Sequence, residues 1–112
     1  MSIHGHLLYT AGVTDVVVFD TRSNLVVKRV PVGDYLGSEA LTPDGKYLYV
    51  TYAANPPSDK VATFNTATKA MVGSPIQVGQ GASGVAVAPD GLYAYVTNAI
   101  DGTVSVIGIS TQ

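Results

Sequence analysis

The chain has 112 residues, 46% of them hydrophobic and 12% charged, with a formal net charge of −2 and no cysteine. That balance excludes intrinsic disorder, a disulfide framework or thiolate chemistry, and a basic nucleic-acid-binding surface. No apolar stretch reaches the ~18–20 residues of a membrane span, and MSIHGHLLYT lacks the charged region and long apolar run of a secretory signal.

The apolar residues are mainly Val, Ala, Leu and Tyr, interspersed with Gly and Thr. This mixture favours strands and turns. In chain order, HLLYTAG (6–12), Asp15–Phe19 and Leu25–Val32 read as three strands. Ser38–Thr42 follows and ends in Pro43-Asp44-Gly45, and then come Tyr47–Tyr52, Lys60–Phe64 and Ala70–Val78. A last group repeats the start of that set, with Gly84–Ala88 ending in Pro89-Asp90-Gly91, then Tyr93–Asn98 and Thr103–Ile109. Asp-Gly between apolar runs marks a hairpin, because Gly takes positive φ without cost. Strand alternation puts Tyr93, Tyr95 and Thr97 on one face and Ala94, Val96 and Asn98 on the other. No run sustains a 3.6-residue period, so no helix is expected.

The chain repeats itself. Residues 33–53 answer 79–99 at a constant offset of 46 without a gap. Gly33 meets Gly79, Pro43-Asp44-Gly45 meets Pro89-Asp90-Gly91, and Tyr49-Val50-Thr51 meets Tyr95-Val96-Thr97. DVVVFDTRSNLVVKRVPVG (15–33) answers KVATFNTATKAMVGSPIQVG (60–79), and HLLYTAG answers YAYVTNA more weakly. Repetition at this period belongs to propellers and solenoids, and four-stranded meanders repeated radially make a β-propeller. The expectation is an all-β fold of about two and a half propeller blades. An incomplete blade of three strands spans 6–33, a full blade 34–79, and a second incomplete blade of three strands 80–112. A β-sandwich is the alternative, but it does not call for one module recurring at a fixed distance.

Tyr95-Val96-Thr97-Asn98, preceded by Val87-Ala88-Pro89-Asp90-Gly91 and followed by Asp101–Ile107, resembles the YVTN β-propeller repeat. The likeness covers nearly the whole chain and is closest in the last copy. Tyr52 departs from the motif's Asn, Leu7–Thr10 replaces the tetrad, and Ile107-Gly108-Ile109 stands where Phe19-Asp20-Thr21 shows the usual pattern. The resemblance implies an extracytoplasmic protein, since such repeats occur in surface-layer proteins, other exported propellers and subunits of some periplasmic oxidoreductases. Lactonase-like propellers have similar repeats. The motif builds turns and blade cores, so function has to come from sites.

Ten strands do not close a ring, and open blade flanks expose apolar faces that favour association. Two expectations follow: the chain is part of a longer propeller whose missing blades complete it, or copies join head to tail as a homo-oligomer. Two chains of three units each would make six blades.

Candidate binding residues are sought in the loops on one propeller face and where the copies disagree. They are Asp34, Tyr35, Glu39, Tyr52, Asn55, Asp59, Gln80 and Asp101. Tyr35 and Tyr52 fall outside the repeated pattern and are read as exposed contacts. Glu39 stands where the other copy has Val85, near the central channel. The loop AANPPSD (53–59) is longer than its counterparts and stiffened by Pro56 and Pro57. Asp44, Asp90 and Asp101 precede glycines and read as turn residues, and Asp20 and Asn65 open matched turns. His4 and His6 have strand spacing but no third ligand nearby, so no metal site is assigned. No nucleophile elbow, P-loop or dinucleotide fingerprint is present, so no catalytic residue and no cofactor is assigned. The function expected is a non-catalytic scaffold for protein–protein or self-assembly contacts. The alternatives are part of a lactonase-like or oxidoreductase-associated propeller enzyme, and glycan binding through Tyr35 and Asn55.

Overall fold

The computed structural model describes residues 2–53 and 59–109. Those residues form three antiparallel sheets and no helix. The first sheet is β1 (Ser2–His4), β2 (Leu7–Ala11), β3 (Asp15–Asp20) and β4 (Leu25–Pro31), in that spatial order. The middle sheet is β5 (Asp34–Leu41), β6 (Tyr47–Ala53), β7 (Lys60–Asn65) and β8 (Ala70–Gln77). The last sheet is β9 (Ala82–Val87), β10 (Tyr93–Asn98) and β11 (Thr103–Gly108). Each is a meander, so every strand pairs with its neighbour in sequence.

Local chemistry explains the turns. Both Pro-Asp-Gly hairpins place glycine in the left-handed region, at φ 73° for Gly45 and 74° for Gly91. Asp44 Oδ1 accepts from the Lys46 N–H at 3.0 Å, and Asp90 Oδ1 from the Leu92 N–H at 3.0 Å. Asp44 also accepts from the Thr42 hydroxyl at 2.6 Å, and these donors hold its carboxyl below the usual range. The turns after β3 and β7 match as the repeat predicts. Asp20 Oδ1 accepts from the Arg22 N–H at 2.8 Å, and Asn65 Oδ1 from the Ala67 N–H at 2.9 Å. Asn24 and Lys69 close these turns in the left-handed region.

Three sequence expectations are corrected. The first unit has four strands rather than three, because Ser2–His4 pairs with β2 across a turn at Gly5-His6 (Ile3 opposite Leu8). Asp34–Leu36, expected in a loop, begins β5, where two register shifts let Asp34 pair with Ala53 and Leu36 with Tyr52. Finally, HLLYTAG aligns one residue away from the weak match to YAYVTNA. Tyr9 lies opposite Val18 as Tyr49 lies opposite Thr63 and Tyr95 opposite Val106. One residue of slip reverses a strand's faces, so Tyr9 belongs with Tyr49 and points into the protein.

The sheets stack face against face, and each sheet has two distinct faces. The front faces carry the Tyr9, Tyr49 and Tyr95 positions, and the back faces carry Leu8, Leu48 and Ala94. One core joins the first sheet's front (Tyr9, Val16, Val18, Val30) to the middle sheet's back (Leu48, Val50, Phe64). There Tyr9 and Phe64 meet edge-on with centroids 6.2 Å apart. The second core joins the middle sheet's front (Tyr49, Val61) to the last sheet's back (Ala94, Val96, Ile107). Burying each large apolar side chain contributes roughly 1.5–3 kcal/mol, so two such cores hold the stack together without a helix.

Candidate binding rim

At one end of the stack, Asp59, just before β7, and the β10–β11 loop approach the segment that links β8 to β9. Four consecutive backbone N–H groups, three in that link and the fourth at the start of β9, point at side-chain oxygens. The Gly79 N–H donates to Asn98 Oδ1 at 3.1 Å, and the Gln80 N–H to Asp101 Oδ2 at 2.8 Å. The Gly81 and Ala82 N–H groups both donate to Asp59 Oδ2 at 3.0 Å. Asp59 comes from the middle sheet's loop and Asp101 from the last sheet's, so two carboxylates and an amide clasp the passage between sheets. The Asp59 main chain adds to the clasp, its carbonyl accepting from the Val78 N–H at 3.0 Å. Charge-assisted bonds of this kind are stronger than neutral ones.

Among the described residues, the passage between the first two sheets is joined by main-chain bonds. The Thr14 carbonyl accepts from the Val32 N–H at 3.0 Å, and the Val13 carbonyl from the Leu36 N–H at 2.9 Å.

Asp59, Gln80 and Asp101 therefore come together, but their carboxylates and main chain are engaged in joining sheets. Asn98, the last residue of the tetrad, belongs to the same device. It is buried, and its Nδ2 donates to Thr103 Oγ1 at 3.2 Å and Ser105 Oγ at 2.9 Å. Sequence reasoning did not name Asn98 as a site residue. Its contact with Gly79, where a Cβ would lie 2.7 Å from Asn98 Cγ, exists only in the folded chain.

Tyr52 fills the equivalent place in the middle sheet. Its ring lies over Gly33, where a Cβ would come within 2.6 Å of the ring. It is half-buried rather than an open contact, and burial raises its hydroxyl pKa. It borders a pocket of about 60 Å³ with Val32, Ala62 and Met71, room for little more than water.

Tyr35 is exposed as expected, at 74%. It also holds φ 51° where its repeat partner Gly81 holds φ 73°, a costly conformation for a bulky residue. Glu39 faces the first sheet, directly opposite the buried Val50, and its Oε1 is shielded from solvent. Asn55 lies outside the described residues, as do the side chain of Asp34 and the prolines of the AANPPSD loop.

The far end of the stack is closed by the hairpin turns. Pro43 packs over Gly91, with 3.6 Å from Pro43 Cδ to a Cβ built there, and the His4 ring covers Gly45 in the same way. His6 offers its carbonyl to the Thr21 hydroxyl at 2.9 Å. The His4 ring and the His6 main chain thus join turns.

A scan against protein-family models and a search of curated proteins both find no match. Solved structures do match. Kuenenia stuttgartiensis hydrazine synthase is similar over 93% of this chain and 30% of its own, with 30% identity and a TM-score of 0.84. A functionally unknown protein from Desulfotomaculum acetoxidans DSM 771 is similar over 94% of this chain and 33% of its own, at 17% identity and TM-score 0.76. The Dos1 propeller is similar over 84% of this chain and 24% of its own, at 14% identity and TM-score 0.67. The chain spans about a quarter to a third of the length of these structures. Meander topology, face-to-face stacking and these likenesses agree that the chain folds as a stack of β-propeller blades.

Proposed function

We propose that the chain is a non-catalytic β-propeller module of the YVTN type. It serves as a scaffold for protein–protein contacts in an exported or cell-surface protein. The observation that carries this reading is the engagement of the rim's polar side chains: Asp59, Asp101 and Asn98 all accept from the backbone of one blade-to-blade link. Groups bound to main-chain N–H hold the architecture in place instead of facing a substrate.

The purified chain tests the reading when assayed for lactone hydrolysis and dye-coupled redox turnover alongside Asp59→Ala and Asp101→Ala. The reading expects no turnover from any of the three and a loss of unfolding free energy in both variants, by about 1–2 kcal/mol each. Turnover that disappears in either variant would overturn it.

A second reading draws on the 30% identity to hydrazine synthase. In that reading the chain forms blades of a redox-enzyme subunit whose reacting groups lie on other blades or another subunit. Co-purification of a cofactor chromophore with the protein would favour it over the first.

A further inference from the structure

We infer that the cleft between the two Pro-Asp-Gly hairpins, at the end of the stack opposite the rim, binds an organic ammonium group. This stands apart from the scaffold reading and adds a ligand site to it.

The two junctions inside the chain share a register and differ at this end. Thr66 and Ile109 hold one position in two copies. The Thr66 N–H donates to the Lys46 carbonyl at 3.0 Å, and the Ile109 N–H to the Leu92 carbonyl at 2.8 Å. Where the first sheet meets the middle one, the Tyr9 hydroxyl is hydrogen-bonded to the Thr66 side chain. Tyr49 repeats Tyr9 at the next junction, but Ile109 has no hydroxyl to offer it. Tyr49 is buried, and its hydroxyl has no hydrogen-bond partner among the described residues. A buried polar group left in that state costs stability, and a ligand that reaches it recovers the loss.

A second replacement makes room. His4, opposite Leu7, and Thr42, opposite Tyr47, also hold one position. The His4 ring covers Gly45, whereas the shorter Thr42 does not reach Gly91. The result is a cleft of about 210 Å³ whose wall includes Asp44, Asp90, Tyr47 and Ile109. Tyr47 and Ile109 also pack against the core that holds Tyr49, and Asp44 and Tyr47 lie within electrostatic reach of the Tyr49 hydroxyl. That hydroxyl therefore points at the inner wall of the cleft.

The wall chemistry selects the ligand. Asp44 and Asp90 each use Oδ1 for their own turn and have a second oxygen to offer. Lys46 offsets part of the charge at Asp44, and the Asp90 charge keeps the cleft anionic. An ammonium group carries three donors, which match the two carboxylates and the Tyr49 oxygen. Pro43 and Ile109 offer apolar surface to its alkyl stem. No cluster of three or more His, Asp or Glu stands among the described residues, so the cleft is too poor in carboxylates for calcium, which takes about six to eight oxygen ligands.

An amide NMR titration of the folded chain tests the inference, with n-butylammonium chloride as the first ligand. The expected result is a saturable set of shifts confined to the amides of 44–47, 90–92 and 109, with a millimolar dissociation constant. The alcohol n-butanol has the same stem without the charge and is expected to shift none of them. Asp90→Asn keeps the Oδ1 that its turn uses and is expected to weaken binding at least about fivefold. Tyr49→Phe removes the orphaned hydroxyl, and is expected to raise the thermal midpoint while weakening binding about threefold. Nα-acetyl-lysine N-methylamide separates two sources of the group. Tighter binding than n-butylammonium assigns the cleft to a lysine side chain of a protein partner, and weaker binding assigns it to a free amine. Absence of saturable shifts at these amides overturns the inference, as do equal shifts with n-butanol or tighter binding of calcium chloride at the same residues. Wild-type affinity in either folded variant overturns it too.

Discussion

The middle and last sheets carry nearly the same words and live in different surroundings. In β6, Tyr49 is 0% exposed, and the run from Leu48 to Thr51 is buried on both faces. In β10, Ala94, Val96 and Asn98 are buried while Tyr93 and Tyr95 are 46% and 41% exposed. The Tyr-x-Tyr-Val-Thr motif is therefore not a core by itself. It is one half of a joint, and it becomes core only when another sheet lies against it. The same amino acids differ in energetic weight because their neighbours differ.

Truncation of the matched tyrosines breaks or sharpens this comparison most strongly. Tyr49→Ala is expected to cost about 3–5 kcal/mol, the usual loss for a buried aromatic. Tyr95→Ala is expected to cost about 0.5 kcal/mol or less in the single chain, as surface substitutions do. Denaturant melts at low protein concentration measure both. Equal losses would mean that the two copies share one environment.

High pH gives the next effect. Burial raises the hydroxyl pKa of Tyr9, Tyr49 and Tyr52 above the ordinary 10.0. The Thr66 hydrogen bond offsets part of this at Tyr9, while Tyr47 and Asp44 add to it at Tyr49. The unfolded chain therefore releases these protons first. Their contribution to stability is complete below pH 10 and is lost as pH rises through the raised folded values. Ultraviolet titration is expected to show an exposed class of tyrosines ionising first and a buried class ionising together with unfolding. One smooth titration of all the tyrosines without unfolding would contradict the packing.

The smallest effect compares Tyr35 with Gly81, which share a left-handed position in two copies. Tyr35→Gly is expected to raise stability by up to about 1 kcal/mol, since the left-handed region disfavours residues with a Cβ by roughly 1–2 kcal/mol and glycine loses more freedom on folding. A thermal melt reads the sign. A drop in midpoint would show that the Tyr35 side chain stabilises the fold more than its backbone costs.

Much of the fold was legible in the repeat. The Pro-Asp-Gly hairpins, the Asp20 and Asn65 turns and the alternation of β10 all depend on bonds within a few residues, and they stand as read. What sequence could not supply depended on contacts between sheets. β1 is three residues long and exists through its pairing with β2. Tyr9 needed the β2–β3 register before its face could be assigned. At the rim, the disagreement of Tyr52 with Asn98 looked like a functional difference. It is two solutions to one packing problem, a ring or an amide set over the glycine that enters the next blade. Asp101, a turn residue by spacing, reaches across to Gln80 because the folded link brings that N–H within 2.8 Å.

Residue-resolved hydrogen exchange tests most directly the claim that the middle sheet is a core because it is covered on both sides. Amides in β6 (47–53) and β7 (60–65) are expected to exchange slowest, near the rate set by global unfolding. Those of β4 (25–31) and β11 (103–108), at the outer edges of sheets with an open face, are expected to exchange fastest among the strands. Slower exchange in the last sheet than in the middle one would contradict the account.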